Sequence, residues 1–356
     1  MRAHLFIAPL ALVGPAFAQS VNLTIDDTKD EVLRINVKAE FNITQTSRNL
    51  LDGEEVAGRG GRGGRGGGGG GGESNVTQTV VFDRGPGTSG WRQYRTLEST
   101  TNQGGEEVQV QGALAGQRVF FRDGALHQGE GDSAEPVAAN LSQGVPETIA
   151  LAGLLAGNEV SVGDEFDVGG TFVSALRSLM HPVTPEAGQR GGRGGGGGGR
   201  GGGRGGRGGG RGGRGGGGAG GAANTLQEVL ASGGIQCEAT GKLVSVEDGI
   251  ATVEFAAQIT GEGTAEELGL SGGGGRGGRG GRGGGEVDSS EGTASISLTG
   301  TATINVEARR LETMELMGDL NLSSDVTRTT GRGSVQTIQG TTGTVKLTVT
   351  CEPVDG

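Results

Sequence analysis

Aromatic residues are scarce in this chain: one Trp, one Tyr and nine Phe among 356 residues. Few rings are left to line a large apolar cavity or to stack on successive nucleic-acid bases. Two cysteines exclude a disulfide-dense scaffold, and three histidines leave little imidazole for metal or acid–base chemistry. No Ser-x-x-Lys pair occurs, so one local signature of a serine nucleophile is missing. No apolar run reaches the roughly 20 residues that a helix needs to cross a bilayer.

What is present begins with the leader MRAHLFIAPLALVGPAFAQS. Arg2 gives a positive start, Leu5 to Val13 is an apolar stretch of nine residues, and Ala16-Phe17-Ala18 places small residues at −3 and −1 of a cleavage site. This reads as a signal peptide over residues 1–18, followed by a single exported domain over 19–356, periplasmic or secreted. No cysteine stands at the cleavage site to take a lipid.

Glycine is concentrated in three tracts, 58–72, 188–221 and 272–285, which together hold 63 residues, 48 of them Gly and 13 Arg, with no acid and no ring. The other 293 residues carry all 41 acids against 17 Lys and Arg, so an acidic body of formal charge −24 bears three basic insertions totalling +13. The tract arginines are Arg59, Arg62 and Arg65, then Arg190, Arg193, Arg200, Arg204, Arg207, Arg211 and Arg214, and finally Arg276, Arg279 and Arg282. Arginine forks onto phosphate and carboxylate, which makes these residues candidate contacts for an anionic envelope polymer or extracellular DNA. The lack of rings in the tracts, together with export, argues against cytoplasmic RNA as a partner. Each tract falls between predicted elements, where insertions are tolerated. Measured against four-residue loops, closing all three costs about 4 kcal/mol, which a domain stable by roughly 5–15 kcal/mol survives. The alternative is therefore inert repeat expansion.

The body reads as β-sheet. Leu33, Ile35, Val37, Ala39, Phe41 and Ile43 are apolar, while the residues between them are polar, and Val345, Leu347, Val349 and Cys351 repeat the pattern near the end of the chain. A period of two marks a strand with one buried face. Similar segments lie near 76–82, 91–99, 108–114, 119–126, 235–246, 250–260, 294–308, 314–326 and 335–339. The turns Arg122-Asp123-Gly124 and Glu247-Asp248-Gly249 favour hairpins. Two helices are expected: one from Pro146 to a C-cap at Gly157, and one carrying Phe172, Leu176, Leu179 and Met180 up to Pro182. The fold class is mainly β: a large curved antiparallel sheet or open half-barrel with one or two covering helices, interrupted by three Arg-Gly loops.

The stretch NEVSVGDEF, Asn158 to Phe166, followed by a helix and the long run from Gly292 to Ser324, resembles an uncharacterised family of exported bacterial β-sheet proteins, a domain of unknown function. The family's Val-x-Val-Gly-Asp-x-aromatic motif falls on Val160 to Phe166, and the resemblance spans about Asp30 to Cys351. More distantly, such folds are similar to the open half-barrels of envelope lipoprotein carriers. The resemblance implies a fold and a compartment, and it supplies no catalytic residue. The scarcity of aromatics departs from the carriers.

Cys237 shares strand parity with Ile235 and Ala239, and Cys351 with Val349, so both cysteines point to the buried face and form a disulfide candidate in an oxidising compartment. The competing reading is two buried thiols. His127, Glu130 and Asp132 form a weak candidate group for a divalent cation, equally accounted for as a solvated loop. Asp26 to Glu31 lacks the ligand alternation of a calcium loop and reads as a solvated approach to a strand. His181 stands before Pro182 at a helix end. Five Asn-x-Ser/Thr triplets, at Asn22, Asn42, Asn75, Asn140 and Asn321, arise readily from Thr-rich strand faces. With no catalytic motif and no cofactor fingerprint, the chain reads as a non-enzymatic exported binding or structural module. The alternatives are polyanion binding through the Arg-Gly loops and carriage of a hydrophobic ligand on the concave sheet.

Overall fold

The computed structural model describes residues 20–27, 31–55, 72–86, 90–129, 134–155, 157, 159–185, 221–270, 286–331 and 333–354. Residues 1–18, read above as a signal peptide, lie outside the described residues, as do nearly all of the three tracts and all thirteen of their arginines.

Sixteen strands are described: β1 (Ser20–Asn22), β2 (Leu33–Leu51), β3 (Glu54–Glu55), β4 (Gly72–Arg84), β5 (Arg92–Gln103), β6 (Glu106–Gln111), β7 (Arg118–Arg122), β8 (Ala125–Gln128), β9 (Glu135–Pro136), β10 (Glu159–Ser161), β11 (Glu165–Asp167), β12 (Ile235–Glu247), β13 (Ile250–Gly263), β14 (Glu286–Asn305), β15 (Arg310–Thr330) and β16 (Gly333–Pro353). Three helices accompany them: α1 (Ala139–Ser142), α2 (Gly169–Leu179) and α3 (Gly221–Ala231). Fourteen strands form one antiparallel sheet in the order β11-β12-β13-β14-β15-β16-β2-β4-β5-β7-β8-β9, with β3 on β2 and β6 on β5. The sheet is open, bounded by β11 and β9, and β1 pairs with β10 in a separate ribbon. The expected mainly β, antiparallel, open architecture is therefore the observed one.

The alternation read from the sequence is the alternation of burial. Leu33 through Ile43 are buried at every odd position, because successive side chains of a strand leave opposite faces. Asp52-Gly53, Asp123-Gly124 and Asp248-Gly249 all take positive φ and close two-residue hairpins between β2 and β3, β7 and β8, and β12 and β13. Asp-Gly suits this turn, since both central residues must be left-handed.

The sheet must curve, because α2 packs on β12 while α3 packs on β2 and β4, and the two helices touch. Six strand spacings separate β12 from β4, about 29 Å if flat. A touching pair of helices about 10 Å wide each reaches both only if the sheet wraps around it. A diagonal of glycines marks the bend. A Cβ on Gly300 of β14 would lie 1.9 Å from the carbonyl oxygen of Glu315, on Gly318 of β15 1.6 Å from that of Ser297, and on Gly343 of β16 2.0 Å from that of Asn42. Glycine here lets adjacent backbones approach more closely than a side chain would allow.

The helices differ in part from expectation. The second expected helix is α2, with Phe172, Leu176 and Leu179 buried. The first, from Pro146 to Gly157, is absent apart from a 3₁₀ turn at Leu151–Leu154. Its backbone groups are taken by side chains instead: Arg92 donates to the carbonyls of Pro146 and Glu147, Ser178 Oγ accepts from the Ala150 amide, and Asp27 accepts from that of Ala152. Amides and carbonyls satisfied this way have no need of a helical ladder. α3 was not anticipated, although Leu226, Val229 and Leu230 sit at helical spacing.

Candidate binding site on the concave face

The concave face combines an apolar middle with a polar end. In the middle, α2 contributes Leu176 and the residue that caps it, Met180, α3 contributes Leu226 and Leu230, and β2, β13, β14 and β16 supply a floor that includes Ile259 and Leu347. These side chains surround a cavity of about 20 Å³ with no polar lining atom. That volume holds one water-sized sphere, far below the roughly 300–1,000 Å³ of a ligand pocket. The helices therefore cover the apolar floor closely.

At the polar end, register places Leu33, Arg84 and Arg92 side by side, and Ile35, Phe82 and Tyr94 next to them. All six are buried. Arg84 Nη1 donates to Asp27 Oδ1 at 3.1 Å, and Asp27 Oδ2 accepts from the Ala152 amide at 2.9 Å. Desolvation raises the Asp27 carboxyl above the usual carboxylate value, against the opposing pull of the Ala152 amide and Arg84. Tyr94 Oη and His181 Nδ1 share a hydrogen bond of 2.6 Å, and the His181 carbonyl accepts from Gln78 Nε2. The His181 ring also packs 4.8 Å from Phe82. Burial, and then the Arg92 charge, hold His181 well below its ordinary pKa, and burial raises Tyr94. Both are thus neutral near pH 7. Among the described residues, His181 Nε2, Arg84 Nε and Arg84 Nη2 are buried and have no hydrogen-bond partner.

The convex face handles charge differently. Asp83 lies between Arg34 and Arg95, each donating at 2.8 Å. Burial works against its ionisation, but the hydrogen bonds from the two guanidinium groups outweigh it and keep the carboxyl below its ordinary value.

Residues singled out in the sequence are scattered. His127 lies on β8, stacked at 5.8 Å on Phe120, while Glu130 and Asp132 lie outside the described residues. Among the described residues no three His, Cys, Asp or Glu side chains gather as a metal site would require. Cys237 on β12 and Cys351 on β16 share the concave face, yet β13, β14 and β15 lie between them. Four strand spacings amount to about 19 Å, whereas a bridge needs Cα atoms within about 7 Å. The disulfide is excluded and both thiols are free, with burial pushing Cys237 up to about 11 and Cys351 up to about 12. The Asp26–Glu31 stretch is not simply a solvated approach, since Asp27 is buried against Arg84. Val160 and Ser161 end β10, and Val162-Gly163-Asp164 form the turn to β11, with Asp164 Oδ2 accepting from the Ser161 amide at 3.0 Å.

The polar cluster escaped sequence reasoning, although strand parity carried a signal. Gln78 and Arg84 share even positions with Val76, Val80 and Phe82, so both had to face inward. No protein-family profile matches the chain, and no curated protein sequence matches it. No helix among the described residues is long and apolar enough to cross a membrane.

Proposed function

We propose that the protein is an exported, non-enzymatic binding module that holds an apolar ligand on the concave face of its open sheet, beneath α2 and α3. The observation that carries this reading is the cavity between helices and sheet, lined by apolar side chains alone. An apolar floor roofed by two amphipathic helices offers a ligand a dry surface once the helices shift outward. Export is supported by the Arg2, Leu5–Val13 and Ala16-Phe17-Ala18 pattern. Native mass spectrometry of protein isolated from its source envelope tests the reading. A lipid adduct is expected in the native chain and reduced in Leu298→Trp, which fills the cavity; absence of any adduct, together with failure to bind a hydrophobic fluorophore, overturns it.

A second reading, low-specificity polyanion binding, is favoured by where two tracts attach. Glu55, Gly72 and Glu286 flank the tracts 58–72 and 272–285, and strand register places all three toward the same end of the sheet. Arginines tethered at one end add their charge locally. Replacing the tracts with Gly-Ser linkers is expected to lower the salt needed for elution from heparin resin; unchanged retention rejects this reading.

A further inference from the structure

Two arginines meet on the concave face where β4 pairs with β5. Arg84 and Arg92 form one cross-strand pair, so their Cβ atoms lie about 5 Å apart and their like charges repel. Both are nearly inaccessible, at 2% and 3% exposure. Arg92 is engaged by the carbonyls of Pro146 and Glu147. Among the described residues, Arg84 has one carboxylate partner, Asp27, and its Nε and Nη2 are buried and unpartnered. Among the described side chains, one buried carboxylate, that of Asp27, thus hydrogen-bonds to this pair of buried guanidinium groups, through Arg84. A water molecule would satisfy the N–H groups and leave that imbalance in place, whereas an anion meets both needs. From this end an apolar path leads inward: Ile35 and Val37 on β2, with Phe82 and Val80 beside them, connect the pair to Ala39 at the cavity. Ala39 is six residues from Leu33, which pairs with Arg84, a span of about 20 Å.

We propose that Arg84, with Arg92 beside it, receives an oxyanion, carboxylate or phosphate, that is the head of an amphipathic ligand whose apolar tail lies along this path. The proposal rests on the apolar-ligand reading above and adds the chemistry of the head group.

Calorimetric titration of the full chain with decyl phosphate below its micellar concentration, with decanol, and with inorganic phosphate tests it. Decyl phosphate is expected to bind at least tenfold more tightly than decanol, and Arg84→Met should abolish that advantage while leaving decanol binding unchanged. Because Arg84→Met strands Asp27, the double variant Arg84→Met/Asp27→Asn is measured beside it, with a thermal melt to show that each is folded. Equal affinity for both amphiphiles in native chain and variants overturns the head-group site and leaves the apolar-ligand reading standing. Arg84-dependent binding of inorganic phosphate, with no gain from the decyl tail, supports the anion site and overturns the apolar ligand. Binding of none of the three probes overturns both.

Discussion

His181 is held neutral inside the fold, and that has a direct consequence for stability. Its folded pKa lies well below 6.5 because burial, and then Arg92, disfavour the imidazolium. The unfolded chain takes up a proton near pH 6.5 while the folded chain does not, so the stability this residue supports is present above that pH and is lost as pH falls towards the folded value. The loss reaches up to about 1.4 kcal/mol per pH unit. His181→Asn should therefore flatten the dependence of the urea midpoint on pH between about 6.5 and 5, and an unchanged slope would remove His181 from the account. Asp27 acts in the opposite direction, since its raised carboxyl favours the fold on acidification, and the single histidine substitution separates the two. The thiols give a second residue-scale prediction. Unreduced, denatured protein should titrate two thiols, because Cys237 and Cys351 stand four strands apart; a count of zero would contradict the strand order. Parity alone placed both cysteines on the concave face, and no local pattern could supply the number of strands between them. Asp27 carries the same lesson, because its partners Arg84 and Ala152 come from segments distant in the chain.

At the scale of elements, period-two stretches were legible and the interruptions within them were not. The segments near 335–339 and 344–351 are one strand, β16, running through Gly340 and Gly343, because a sheet can carry glycine where neighbouring backbones approach. The segment from Pro146 had helical punctuation, yet Arg92, Ser178 and Asp27 captured its backbone groups, a tertiary effect invisible to propensity. The glycine diagonal makes the curvature testable. Gly318→Ala would place a methyl 1.6 Å from the Ser297 oxygen, and relieving that overlap means spreading β14 from β15. A loss of about 2–3 kcal/mol or more is expected from chemical denaturation. Gly331→Ala, with open space around its Cβ, is the matched control and should change stability by less than about 0.5 kcal/mol.

At the scale of the whole molecule, the last strand occupies the middle of the sheet. β16 pairs with β15 along one side and with β2 along the other, from Leu51 opposite Val335 to Leu33 opposite Pro353. The two halves of the sheet, β11 to β15 and β2 to β9, meet only through it in the strand order. Without β16 each half exposes a long unpaired edge, and the core loses Val345, Leu347, Val349 and Cys351. Pairing across such a separation in sequence is also slow to form, because the loop must close before the contacts repay it. A chain ending at residue 332 should therefore show no cooperative thermal transition by circular dichroism and should aggregate through its free edges. A synthetic peptide of residues 333–353 supplied during refolding is expected to restore both the transition and solubility, since it carries every ladder hydrogen bond and concave side chain of the missing strand. A truncated chain that melts cooperatively by itself would show that β16 is not needed to couple the two halves, and would overturn this account.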